Sequence, residues 1–128
     1  MSITIVDINI CALDSWARNA GLSTDEKSRI RAAAKIAKGV GADLIACQEL
    51  VTYDNAKLFS EEMGWGGQMV DPDTMKPEKG DSCICKGDGG VAMGLIWNPK
   101  LIEFFALWKI NTYPGWNRNR WSVAGRAY

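Results

Sequence analysis

The chain has 128 residues, 47% of them hydrophobic, which suits one domain with its own core and argues against two. Its 15 basic and 15 acidic residues cancel, so no bulk positive field marks it for nucleic acid or an anionic membrane, although a local charged cleft would not show in that total. No run reaches the roughly 20 apolar residues of a membrane span, and Asp7 and Asn9 break the apolar start at Met1–Leu13 with no basic residue ahead of it, so a soluble, cytoplasmic protein is expected.

Ser2–Ile10 is rich in β-branched residues, with Ile3, Ile5, Ile8 and Ile10 set among Thr4, Asp7 and Asn9, and reads as a strand with Asn9 at its carboxyl end. Cys11–Leu22, which carries Trp16 and Arg18, reads as a connecting loop. Ser23-x-x-Glu26 then fits a capping box. Ile30, Ala33, Ala34, Ala37 and Val40 recur at helical spacing after it, while Lys27, Arg31, Lys35 and Lys38 take the other face and Gly39 and Gly41 supply the stop. Ala42–Cys47 is a short apolar run leading straight into Gln48 and Glu49. A strand, a helix and a second strand suggest a crossover whose sheet is buried on both faces. Gln48 and Glu49 then fall at a strand's carboxyl end, where α/β sheets usually bind ligands.

A second helix is expected over Asp54–Met63, stopped by Gly64, and a short strand over Gly66–Val70. Asp71–Gly90 mixes proline, glycine and charge and reads as one long loop. Val91–Trp97 and Leu101–Ile110 are strand-like runs separated by Asn98-Pro99-Lys100, a turn signal that predicts a hairpin between them. Asn111–Arg120 is again loop-like, with Trp116, Arg118 and Arg120, and Trp121–Tyr128 reads as a last strand. Of the cysteines, Cys11 and Cys47 lie in apolar runs as buried thiols do. Cys83-x-Cys85 sits in a Gly-rich stretch and would hold a soft metal only with partners that the sequence does not supply, so free thiols are expected.

These residues carry a resemblance. The strand ending in Asn9-Ile10, the amphipathic helix, and Ala-Asp-Leu-Ile-Ala-Cys-Gln-Glu over Ala42–Glu49 are similar to the opening of the endonuclease/exonuclease/phosphatase superfamily, which includes the DNase I-like nucleases. Gly89–Trp97 resembles the family's Gly-led strand, and Gly125–Tyr128 resembles the start of a later one. The resemblance implies an α/β fold in which residues 1–128 form the amino-terminal part of a four-layered αββα sandwich, the first sheet with its flanking helices. It implies a metal-dependent hydrolase of phosphodiesters or phosphomonoesters, a nuclease or phosphatase. Glu49 would bind the catalytic Mg²⁺ or Mn²⁺, and Asn9 would organise metal and phosphate. The family pattern continues with a strand bearing a His, an Asp-x-Asn and an Asp-His pair, whereas this sequence contains 0 His. The expected protein is therefore an incomplete phosphoesterase that needs its missing carboxyl-terminal half or a complementing chain. The alternative is a non-catalytic module of the same partial fold that binds phosphate or nucleic acid.

The residue chemistry is compatible with both. A carboxylate such as Glu49 suits a hard ion that prefers oxygen ligands, but one carboxylate is a partial site. Glu49 read without the resemblance is a solvated acid after a buried strand, and Asn9 a strand end held by local hydrogen bonds. Arg126 and Arg120, with Arg118 nearby, are candidates to bind substrate phosphate because guanidinium pairs with phosphate oxygens in bidentate fashion; a solvated loop stacked on Trp116 and Trp121 is the other reading. Trp97 and Trp108 are expected in the core, and Trp16, Trp65, Trp116 and Trp121 are candidates for a stacking rim for single-stranded nucleic acid or sugar. A half-sandwich would leave the strand faces around Val91–Trp97 and Leu101–Ile110 partly uncovered.

Overall fold

The computed structural model describes residues 2–10, 18–21, 25–50, 52–86, 92–111 and 121–127. Strand β1 (Ile5–Asn9), helix α1 (Glu26–Gly39), strand β2 (Leu44–Gln48), helix α2 (Tyr53–Glu62) and strands β3 (Cys83–Lys86), β4 (Met93–Trp97), β5 (Phe104–Asn111) and β6 (Trp121–Ala127) follow in that order. Four strands make one sheet in the order β1-β2-β4-β3, and β5 with β6 makes a separate two-stranded ribbon. β1 and β2 run parallel; the β2–β4, β3–β4 and β5–β6 pairs are antiparallel. The fold class is α/β, built on a mixed sheet flanked by helices α1 and α2.

Helix α1 forms where the apolar spacing demanded it. Ile30, Ala33, Ala34 and Ala37 are buried along one stripe against the sheet. Its amino-terminal cap is Asp25, not Ser23, which lies outside the described residues. The Ser28 hydroxyl donates to the Asp25 carboxylate at 2.5 Å, and that bond holds the Asp25 carboxyl below its usual range. At the other end Gly41 takes φ 71°, and Ala42 N–H reaches back to Ala37 C=O at 3.0 Å, which turns the chain into β2. Thr52 caps α2, its side chain accepting from Asn55 N–H at 3.4 Å. An Arg31–Glu62 ion pair at 3.3 Å links the two helices.

Side chains alternate across the sheet. On the helix side Ile45, Cys47, Cys83, Cys85 and Ile96 join Ile30, Ala33, Ala37, Ala56 and Phe59 in the main core. Ile84 and Trp97, on the opposite side, cluster with Val70, Met75, Ile102, Phe104 and Leu107, and Leu44 and Leu95 pack against them. Gly94 lies between these layers, and only glycine fits there. A Cβ at that position would stand 2.5 Å from Leu50 Cδ1 and 2.8 Å from the Ile84 carbonyl oxygen.

Several expectations are corrected. Val91–Trp97 and Leu101–Ile110 do not form a hairpin: both edges of β4 are occupied, by β2 and β3, so the chain leaves the sheet after Asn98 and β5 pairs with β6 instead. The Asn98 turn itself exists, with the Asn98 side chain accepting from Lys100 N–H at 3.0 Å. Asp71–Gly90 is not one long loop, because β3 runs through it and places Cys83 and Cys85 in the sheet. Gly66–Val70 contributes only a bridge between Met69 and Cys83. The β1–β2 crossover is not buried on both faces: Ile5 remains 62% exposed, and Asp7 and Asn9 on the same side are also exposed.

Candidate metal site

In the parallel ladder Asn9 lies directly across from Gln48, and Ile10 N–H donates to the Gln48 carbonyl at 3.1 Å. The two strands expected to be neighbours are neighbours. Asn9 therefore stands at the sheet's carboxyl end beside the Gln48–Glu49 pair. Ile5, Asp7 and Asn9 from β1 share one face with Leu44, Ala46 and Gln48 from β2. That face is apolar at its start, where Ile5 pairs with Leu44, and polar at its end. Gln48 Nε2 donates to Asp7 Oδ1 at 2.5 Å and ties the polar end together.

Glu49 breaks the extended run. Its φ is 58°, in the left-handed region that side chains other than glycine rarely adopt and that costs on the order of 1–3 kcal/mol. Strain of this kind persists only where the surroundings impose it, and here they do. Leu50 N–H donates to Ala92 C=O at 2.9 Å, and the buried Asn55 amide donates to the Leu50 carbonyl and, at 2.7 Å, to Glu26 Oε1. Asn55 thus connects the turn after Glu49 to the first residue of α1. Asp43, at the head of the motif, has a scaffold role: its carboxylate accepts from Thr4 N–H at 2.8 Å and its carbonyl from Asn98 N–H at 2.9 Å.

The register sets Asn9 beside the Gln48–Glu49 end of β2. Arg126 lies in β6, opposite Ala106, in the ribbon that lies against β4 and β3. Arg120 falls outside the described residues, as do Cys11, Trp16, Trp116, the Gly89–Val91 part of the Gly-led strand, and Tyr128. Trp97 is buried as expected, edge-on to Phe104 at 4.6 Å between ring centroids. Asp7 and Asn55 are the residues that the motif comparison missed. For Asp7 the signal was its i, i+2 relation to Asn9; for Asn55 the sequence offered none.

Asp7, Asn9, Gln48 and Glu49 offer oxygen donors only, the set a hard divalent ion prefers. Among the described residues no three or more His, Cys, Asp or Glu side chains gather as a metal cluster, so the donor set is partial. Beside it, Asn9 also lines a groove of about 210 Å³ between β1 and α1 whose other walls include Ile8, Ile10, Ala33 and Ile36. That groove is mainly apolar, and Ser28 and Arg29 also line it. The free thiols Cys47, Cys83 and Cys85 are buried, and burial pushes all of them up, Cys83 and Cys85 to about 12. They stay protonated at neutral pH and behave as core atoms, because the thiolate is the metal ligand.

Fold and site define an α/β chain with an oxygen-donor corner at the carboxyl end of two parallel strands. Comparison with protein-family models, with curated proteins and with solved structures returns no match. Among the described residues no helix is long and apolar enough to cross a membrane.

Proposed function

We propose that the carboxyl ends of β1 and β2 form the metal-binding corner of a phosphoesterase of the endonuclease/exonuclease/phosphatase type. Glu49 is its ligand for Mg²⁺ or Mn²⁺, and Asn9 orders the phosphate of a diester or monoester substrate beside the ion. One observation carries this reading: the parallel register sets Asn9 opposite Gln48, next to a Glu49 held at φ 58°. Strained backbone at a strand's carboxyl end is a recurrent mark of functional positions. A bound ion would supply charge neutralisation for the phosphate and a more acidic water. Arg126, in the ribbon, and Arg120 are proposed as phosphate contacts.

The corner is not a whole active site. General acid–base groups typically contribute about 10²–10⁴-fold, and the histidines that the resemblance assigns to those roles are absent from a sequence with 0 His. The chemistry therefore requires a carboxyl-terminal half or a complementing chain. The same lack of imidazole favours a second reading, a non-catalytic module that binds phosphate or nucleic acid. Incubation of the purified chain with plasmid DNA and with a chromogenic phosphodiester, in Mg²⁺ or Mn²⁺, tests incompleteness: no turnover above background is expected. Robust cleavage lost in Glu49→Ala would show instead that the chain is catalytically sufficient. Metal-independent binding of DNA or phosphate, unchanged in Glu49→Ala, would favour the second reading.

A further inference from the structure

Asp7 belongs to no part of the motif that singles out Asn9 and Glu49, yet its carboxylate joins β1 to β2 at this corner by accepting from Gln48 Nε2 at 2.5 Å. The direction of that bond is forced by chemistry. An ionised carboxylate only accepts, so the Gln48 amide must turn its NH₂ to Asp7. The amide is planar, and its carbonyl oxygen Oε1 is then directed away from Asp7. Asp7 pairs with Ala46, one step back along the same face, whereas Asn9 pairs with Gln48 itself. Turning the NH₂ back towards Asp7 therefore leaves Oε1 to the carboxyl-end side, where Asn9 and Glu49 are. Without Asp7 nothing in this bond would choose between the two orientations of the amide.

We infer that Asp7 is a positioning residue that acts through Gln48. By fixing the amide it presents Gln48 Oε1 as a further oxygen donor to the divalent ion, beside Glu49. The inference rests on the reading of Glu49 as a metal ligand. It adds a neutral oxygen of the kind that hard cations accept from Asn and Gln side chains. It also gives Asp7 the part that outer carboxylates play at metal sites, orienting a ligand they do not replace.

The test uses the full chain and Mn²⁺ as the probe, with affinity read by titration calorimetry and the Gln48 side-chain NH₂ signals followed by NMR in metal-free protein. Asp7→Ala is expected to weaken Mn²⁺ binding by about 10–100-fold, as removal of orienting partners typically does. It should shift the Gln48 NH₂ signals while the backbone signals of β1 and β2 stay in place. Asp7→Asn keeps an oxygen that accepts from Gln48, so it should restore most of the affinity; a bulk-charge role predicts no such rescue. Gln48→Ala should match Asp7→Ala, and the double variant should be no worse than either alone. If Glu49→Ala abolishes binding while Asp7→Ala and Gln48→Ala leave it unchanged, the positioning role is wrong and the metal reading stands. If the wild-type chain does not bind Mn²⁺, or Glu49→Ala binds as well as wild type, the metal reading fails and this inference fails with it.

Discussion

The two halves of the four-stranded sheet differ in what covers them. Over β3 and β4 both faces are filled: Cys83, Cys85 and Ile96 meet the helices, and Ile84 and Trp97 meet Phe104 and Leu107 on the other side. Over β1 and β2 the helix side is filled in the same way, by Ile45 and Cys47 with Val6 and Ile8. The opposite side carries the exposed Ile5, Asp7 and Asn9 of β1, while Leu44 of β2 still packs against the ribbon-side cluster, and among the described residues β1 has no strand beyond it. Coverage follows composition. Where the ribbon lies on the sheet the facing residues are apolar, and where it does not the row turns polar towards its carboxyl end. The exposed Ile5 is the exception, and it keeps this face from being an ordinary solvated one. The proposed corner therefore occupies the half of the sheet that carries least packing, where polar side chains are not required to be buried.

This contrast can be broken by substitution. Trp97 is 1% exposed and Ile5 62%. Trp97→Ala should cost about 3–5 kcal/mol, as truncation of a large buried aromatic does, whereas Ile5→Ala should stay within about 0.5 kcal/mol. Urea denaturation of both variants reads the difference directly. A cost for Ile5→Ala approaching that of Trp97→Ala would mean that the β1–β2 face is covered in solution, and the two halves would no longer differ.

A smaller effect sharpens the comparison at the corner itself. Glu49 at φ 58° carries backbone strain that alanine retains and glycine does not. Glu49→Gly should therefore be more stable than Glu49→Ala by about 1 kcal/mol in the same denaturation experiment, although both lose the carboxylate. Equal stabilities would show that the turn relaxes and that strain at Glu49 is not imposed by Leu50 and Asn55.

Much of the first half of this chain was legible in its sequence because the signals are local. The β-branched run before Asn9, the stripe from Ile30 to Ala37 and the apolar Leu44–Cys47 each declare their element within a few residues, and a crossover of that length leaves β1 and β2 as natural parallel neighbours. The second half depended on choices between distant partners. The Asn98-Pro99-Lys100 signal correctly marks a turn, but no local pattern shows that β2 and β3 already occupy both edges of β4. Cys83–Lys86 is too short, and too close to glycines, to stand out as a strand. At the corner, the motif named Asn9 and Glu49. Asp7 and the left-handed turn at Glu49 emerge only from strand register and backbone geometry, neither of which composition encodes.

The central claim is that a divalent ion binds at the carboxyl ends of β1 and β2 through Glu49. Paramagnetic broadening by substoichiometric Mn²⁺ in the NMR spectrum of the labelled chain tests it most directly. The account predicts the strongest loss for the Asn9, Gln48 and Glu49 signals, broadening that weakens across β4 towards β3 in the sheet order β1-β2-β4-β3, and disappearance of this pattern in Glu49→Ala. Broadening centred elsewhere, on the acidic residues of the Asp71–Asp81 segment for example, or a pattern at Asn9 and Gln48 that survives in Glu49→Ala, would contradict it.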